Sequence, residues 1–138
     1  MTKLISEKLG IKPGTRAILI NAPASAVREM KLPELKKALR LTGEFGYIHF
    51  FAKTQSELIR KFPSLGKHLK PTGMLWISWP KAKKLDTDLT LTIVIKIGYD
   101  YGLVESKALS INDTWSGLKF THPKAGKVYN NKYGTLKK

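Results

Sequence analysis

Between Pro71 and Leu89 the chain reads PTGMLWISWPKAKKLDTDL, an apolar run that stops at Trp79-Pro80 and gives way to lysines and then two aspartates. Lys81 and Lys84 can grip an anionic group while the Trp79 indole covers an apolar portion of the same ligand. Asp86 and Asp88 can hold a cation or exchange a proton; carboxylates at this kind of position also cap helix starts, where they accept unpaired amides. Ser116 precedes a glycine, but it falls in a hairpin and not on a strand-to-helix elbow, and no histidine is placed to act as its base. His49 sits mid-strand beside Phe50 and reads as a core histidine, with His68 and His122 far from it in sequence. No cluster of His, Cys and carboxylates has metal-ligand spacing, so no metal and no other cofactor is expected.

The elements that must position these residues alternate. Ala17 to Ile20 is a short, fully apolar strand that follows the Lys12-Pro13-Gly14 turn and ends at Asn21-Ala22-Pro23. A helical turn fits 24–30. Leu35, Ala38 and Leu39 share a helical face behind Pro33, which predicts a helix over 33–41 with Gly43 beyond its end. Tyr47 to Ala52 is an aromatic strand, and Thr54-Gln55-Ser56-Glu57 is a capping box that opens the next helix. Leu58, Ile59, Phe62, Leu65 and Leu69 give that helix its apolar face, with Pro63 expected to kink or split it.

Met74 to Trp79 is the third strand, so strand, helix and strand make a parallel unit with a right-handed crossover. Residues 87–103 carry both a strand-like alternation and a helical face; a helix is expected, capped by Asp86 or Thr87 and stopped at Gly102. Ser106 to Ile111 and Leu118 to Thr121 form a hairpin whose tip holds Asn112, Asp113 and Trp115. The sum is an α/β fold, a small three-layer Rossmann-like sheet of three parallel strands plus a C-terminal antiparallel hairpin, with helices on both faces. Residues 1–122 read as one domain and 123–138 as a basic, flexible tail.

In such sheets ligands sit outside the carboxyl ends of the strands. The expected ligand-binding residues are therefore Asn21, Lys53, Trp79, Lys81, Lys84, Asp86 and Asp88, with no catalytic residue among them.

Composition bounds the function. The chain has 138 residues and no cysteine, which excludes a disulfide framework, a thiolate metal site and a cysteine nucleophile. That fits a reducing compartment, and the cytoplasm is the expected location; no continuous apolar segment resembles an export signal or a membrane span. Twenty-five basic against 10 acidic side chains give a net charge of +15. Such a surface attracts polyanions, but 21 of the 25 are lysines, so any nucleic-acid binding should be unspecific and salt-sensitive. The expected partner is a small anionic ligand or a protein, with no membrane contact.

Pro71 to Pro80, Thr87-Asp88-Leu89, Gly102-Leu103-Val104 and Thr114 to Leu118 resemble, in order and spacing, a family of small uncharacterised bacterial proteins marked by WPK, TDL, GLV and WSGL. That resemblance covers about residues 9–122 and implies a helix over 87–103 and no established activity. More distantly, LKPTGMLWISWP followed by a helix and hairpin is similar to the latter half of a class I methyltransferase. Against that activity stand two absences: INAPASA follows the first strand where a G-x-G-x-G turn would be needed, and no acid ends a second strand to hold a ribose. The reading is thus a non-enzymatic binding or regulatory module, with an unspecific polyanion binder and a methyltransferase-like enzyme as alternatives.

Overall fold

The computed structural model describes residues 5–129, 133, 134 and 136. Six strands, β1 (Arg16–Ile20), β2 (Lys36–Lys37), β3 (Phe45–Phe51), β4 (Leu69–Pro80), β5 (Val104–Ser110) and β6 (Trp115–Thr121), form one sheet in the order β2-β1-β3-β4-β6-β5. The first four are mutually parallel, while β6 runs antiparallel to β4 and to β5. Four helices cover the sheet: α1 (Ile5–Leu9), α2 (Ala24–Met30), α3 (Gln55–Lys67) and α4 (Leu91–Asp100).

Period-2 alternation along the strands divides the core into two layers. Ile48, Phe50, Leu75, Ile77 and Trp79 point toward Leu58, Phe62 and Leu65 of α3 and toward Val94 and Ile97 of α4. Tyr47, Phe51 and Trp76 point the other way, toward Leu9 of α1 and Ala26 and Met30 of α2. The result is a three-layer α/β sheet of the expected kind.

Local chemistry explains most of the elements. The capping box is formed, with Thr54 Oγ1 accepting the Glu57 amide at 3.1 Å and the Glu57 carboxylate accepting the Thr54 amide at 3.2 Å. Residues 91–100 are helical despite their β-branching, because α4 is apolar enough to bury Val94, Ile95, Ile97 and Tyr99 between sheet and solvent. Its cap, however, is Thr90, whose Oγ1 accepts the Ile93 amide; Asp86 and Thr87 do not cap it. Gly102 follows in a left-handed conformation (φ 89°).

Three expectations are corrected. Residues 33–41 are not a helix: Lys36–Lys37 add a fourth parallel strand alongside β1, and the Ala38 amide donates to the Ala17 carbonyl at 2.9 Å. A nine-residue helix is marginal by itself, and with Leu39 wholly exposed it would have had no surface on which to bury its stripe, whereas the edge of β1 offers unpaired backbone groups. Pro63 does not split α3, which runs through it unbroken. The carbonyl that Pro63 leaves without its usual partner belongs to Ile59, on the exposed side where water can serve. Trp115 begins β6 and is not part of the hairpin tip. Beyond residue 123, Tyr129 and Leu136 pack against the α3/α4 side of the core.

Candidate functional site

From β1 the chain crosses one way to β2 and then returns past β1 to β3. The carboxyl ends of β1 and β3 therefore flank the point where the winding direction reverses, and a crevice opens there because the connections leave in opposite directions. A cavity of about 570 Å³ occupies that place. Asn21 and Ser25 line it from the β1 side, Phe51, Lys53 and Glu57 from the β3 side, and Leu85, Thr114 and Trp115 from the far wall.

Each wall residue has a local reason for its position. Asn21 turns the chain out of β1 with φ 58°, a left-handed conformation that asparagine tolerates better than most residues. Trp115 is nearly buried and meets Phe51 edge-to-face, with centroids 5.2 Å apart, so the aromatic wall is fixed. It is held there by Asn112, whose Oδ1 accepts the amides of Thr114 and Trp115 at 2.9 and 2.8 Å. Glu57 is the one carboxylate among the lining residues, and its Oε1 is occupied by the Lys53 and Thr54 amides and the Thr54 hydroxyl. Lys53 is exposed at the mouth and forms no ion pair; among the described residues the ion pair is Lys96–Asp100, on α4.

Of the seven residues singled out in the sequence, Asn21 and Lys53 meet at this cavity. The others do different work. Trp79 is buried on the α3/α4 face and touches a separate shallow groove beside Ser116 and Leu109. The Lys81 ammonium donates to Ser110 Oγ and the Lys84 ammonium to the Asp113 carbonyl at 3.0 Å, so both lie along the β5–β6 hairpin. Asp88 accepts the Gln55 amide at 2.8 Å and its carbonyl accepts the Gln55 side chain at 3.0 Å; it caps α3 from another part of the chain. Thr87 donates to the Lys53 carbonyl at 2.6 Å. Asp86 is exposed, in a segment where Ala82, Lys83, Leu85 and Asp86 all have φ between 48° and 61°. Each such residue costs about 1–2 kcal/mol relative to a right-handed one, and no glycine announces the turn.

The residues missed were Pro23, Ser25, Phe51, Glu57, Leu85, Thr114 and Trp115. Phe51 and Glu57 were within reach, since both adjoin the end of a recognised strand. Leu85, Thr114 and Trp115 come from loops whose approach depends on hairpin docking.

Beneath the cavity floor runs a buried polar chain. Tyr47 Oη lies 2.5 Å from His49 Nδ1, and His49 Nε2 lies 2.7 Å from Ser78 Oγ. His49 is stacked on Phe51 at 4.4 Å, and burial lowers its pKa to about 3 while raising that of Tyr47. A neutral imidazole has one donor and one acceptor nitrogen and satisfies both hydroxyls, as expected of a core histidine. The serine–histidine spacing matches a nucleophile and base, but His49 and Ser78 are wholly enclosed and no carboxylate orients the ring. Among the described residues no group of His, Cys, Asp and Glu is placed to hold a metal ion, and no helix is long and apolar enough to cross a membrane.

No protein-family model matches the chain, and no curated protein matches it in sequence. Solved structures do match in fold. A ribosomal protein L11 methylase from Lactobacillus delbrueckii subsp. bulgaricus superposes with a TM-score of 0.56 at 11% identity, over 87% of this chain and 76% of its own. A TehB-like SAM-dependent methyltransferase from Corynebacterium glutamicum gives 0.56 at 11% identity, covering 85% of each chain. Magnesium protoporphyrin IX methyltransferase from Synechocystis gives 0.54 at 12% identity, over 85% of this chain and 74% of its own. The chain thus has a methyltransferase-like Rossmann fold, with a parallel core and C-terminal antiparallel strands.

Proposed function

We propose that this protein is a non-enzymatic binding module on a methyltransferase-like fold, taking a small anionic ligand in the cavity between the ends of β1 and β3. The observation that carries the reading is the placement of Lys53 in that cavity: its ammonium stands at the mouth without an ion-pair partner among the described residues, while Glu57 Oε1 is turned to the Lys53 and Thr54 amides at the start of α3. The Asn21 amide and the Ser25 and Thr114 hydroxyls supply further donors, and Phe51 with Trp115 supplies an apolar wall.

Adenosyl methionine, which the fold implies, does not fit these residues. The turn after β1 is Asn21-Ala22-Pro23, without a glycine to let the backbone approach a nucleoside, and Pro23 has no amide to offer. Ala38, Leu39 and Arg40 follow β2 where a ribose would need an acid. Within the WPK, TDL and WSGL stretches, Trp79, Leu89 and Leu118 are core, and Lys81 and Asp88 hold neighbouring segments through Ser110 and Gln55.

A second reading, a methyltransferase-like enzyme, draws its support from the fold likeness. Thermal unfolding of the full chain with phosphate, citrate, adenosine monophosphate and adenosyl methionine separates the two. Stabilisation by an anion, lost in Lys53→Glu and kept in a Lys67→Glu control, is the expected result. Stabilisation by adenosyl methionine alone would favour the second reading and overturn the first. Equal loss in both lysine variants would mean unspecific polyanion attraction, and a flat profile would refute the cavity as a ligand site.

A further inference from the structure

The opposite edge of the sheet carries a second cleft that neither reading uses. Between the pairs Phe45–Leu69 and Tyr47–Met74, the single residue Gly46 on β3 faces four residues on β4, Lys70 to Gly73. Those extra residues leave the plane of the ladder and open the sheet beside the start of β1. The cleft so formed measures about 560 Å³. A bulge of this size interrupts hydrogen bonding and is found next to functional sites more often than elsewhere.

Four cations from separate segments line it: Lys12 from the turn before β1, Arg16 at the start of β1, Lys36 on β2 and Lys70 on the bulge. Among the described residues no acidic side chain lines it. Thr72 contributes a hydroxyl, whereas that of Thr15 donates to the Lys12 carbonyl at 2.7 Å, and Gly14 leaves its part of the turn open to a ligand. Gly10 and Gly14 adopt φ of 78° and 82°, conformations that side-chain-bearing residues resist. Arg16 is held rigidly: its guanidinium donates to the Thr42 and Glu44 carbonyls at 2.8 and 2.9 Å and lies 3.9 Å over the Phe45 ring. Both oxygens are main-chain carbonyls, so the charge itself is not neutralised.

Four like charges around one cleft attract an anion. A phosphoryl group carries roughly −1.5 to −2 at neutral pH, so one phosphate leaves the cleft positive and two balance it. We propose that this N-terminal cleft binds a diphosphate group, either free or as part of a nucleotide. Lys12, Lys36 and Lys70 close on the charge with the Thr72 hydroxyl, while Arg16, whose guanidinium rests on Phe45, adds positive charge from the start of β1; the Gly10 and Gly14 amides are already bonded to the Glu7 and Glu34 carbonyls.

The test is isothermal titration of the full chain with inorganic pyrophosphate and with adenosine diphosphate at physiological ionic strength, alongside amide chemical shifts. Lys36 and Lys70 are exposed, so Lys36→Glu/Lys70→Glu should fold normally, as circular dichroism will verify. The expected result is a saturable binding event that weakens at least about tenfold in that variant and persists in Lys53→Glu and Lys67→Glu, whereas any second event lost only in Lys53→Glu belongs to the β1–β3 cavity. Binding of both ligands means that the diphosphate suffices; binding of adenosine diphosphate alone adds a nucleoside requirement, and either supports the site. Absence of binding, or equal loss in every lysine variant, overturns it. If the double variant fails to fold, the wild-type amide shifts decide: perturbation at Gly10, Gly14 and Gly46 supports the cleft, and perturbation confined to Asn21 and Lys53 refutes it. Because Lys53 belongs to the other edge, failure here and failure of the β1–β3 cavity are told apart by which variant loses binding.

Discussion

His49 gives the chain a measurable dependence of stability on pH. The unfolded side chain takes up a proton near its ordinary value of 6.5, whereas burial holds the folded one neutral down to about 3. Between those values the unfolded state binds more protons, so stability is complete above 6.5 and falls as pH drops toward 3. The slope is about 1.4 kcal/mol per pH unit within the window, which makes the loss between pH 7 and pH 5 about 2 kcal/mol. Urea unfolding at the two pH values measures it directly. Removing the imidazole alone leaves the Tyr47 and Ser78 hydroxyls without their buried partner, and His49→Phe should cost about 2–3 kcal/mol at pH 7. The triple variant Tyr47→Phe/His49→Phe/Ser78→Ala removes all three polar groups together; it should recover part of that loss and show about 2 kcal/mol less change between pH 7 and pH 5 than the wild type. Other titrating groups cancel in the comparison. An identical pH dependence in the triple variant would refute the assignment of the effect to His49.

Three further predictions follow from packing and capping. Gly98→Ala, which in an exposed helix would add about 1 kcal/mol, should instead destabilise by about 1–3 kcal/mol, because the new methyl would overlap the buried Phe120 ring that packs edge-on against Phe62; a rise in Tm would refute this. Asp88→Ala should cost about 1 kcal/mol in urea unfolding through loss of the α3 cap, while Asp86→Ala stays within about 0.5 kcal/mol; equal effects would mean that Asp88 is not a cap. Asn21→Gly should keep the wild-type Tm, whereas Asn21→Val should lower it by several degrees, since a β-branched residue resists the left-handed turn at φ 58°.

How much was legible in the sequence depended on the range over which each signal acts. The Thr54–Glu57 cap acts within one turn and was readable from four letters. Strands β1, β3 and β4 were readable because apolar runs bounded by turn residues need no partner to be recognised. The helix expected over 33–41 failed because its three apolar positions match a helical face, yet the free edge of β1 lies nearby only after folding. Site residues divided along the same line. Asn21 and Lys53 directly follow strands and keep their place at the edge. Trp79 shares strand parity with Leu75 and Ile77, so it turns toward α3 and α4, while the cavity opens beside Phe51 on the other face. Lys81, Lys84 and Asp88 were claimed by hairpin and helix-end groups that lie far away in sequence.

The Tyr47–His49–Ser78 chain also has a consequence for assembly of the sheet. Parallel strands β3 and β4 are apolar on both faces, so burial alone discriminates poorly between neighbouring alignments. With His49 beside Trp76 and Phe51 beside Ser78, the imidazole reaches the serine of the next strand. A slip of one residue would turn Ser78 to the α3/α4 side, where Ile77, Leu118 and Phe120 offer no partner, and would strand the imidazole as well. Each orphaned group costs about 1–3 kcal/mol, so the His49–Ser78 link in an oily interior acts as a ratchet that lets β3 and β4 dock in one alignment.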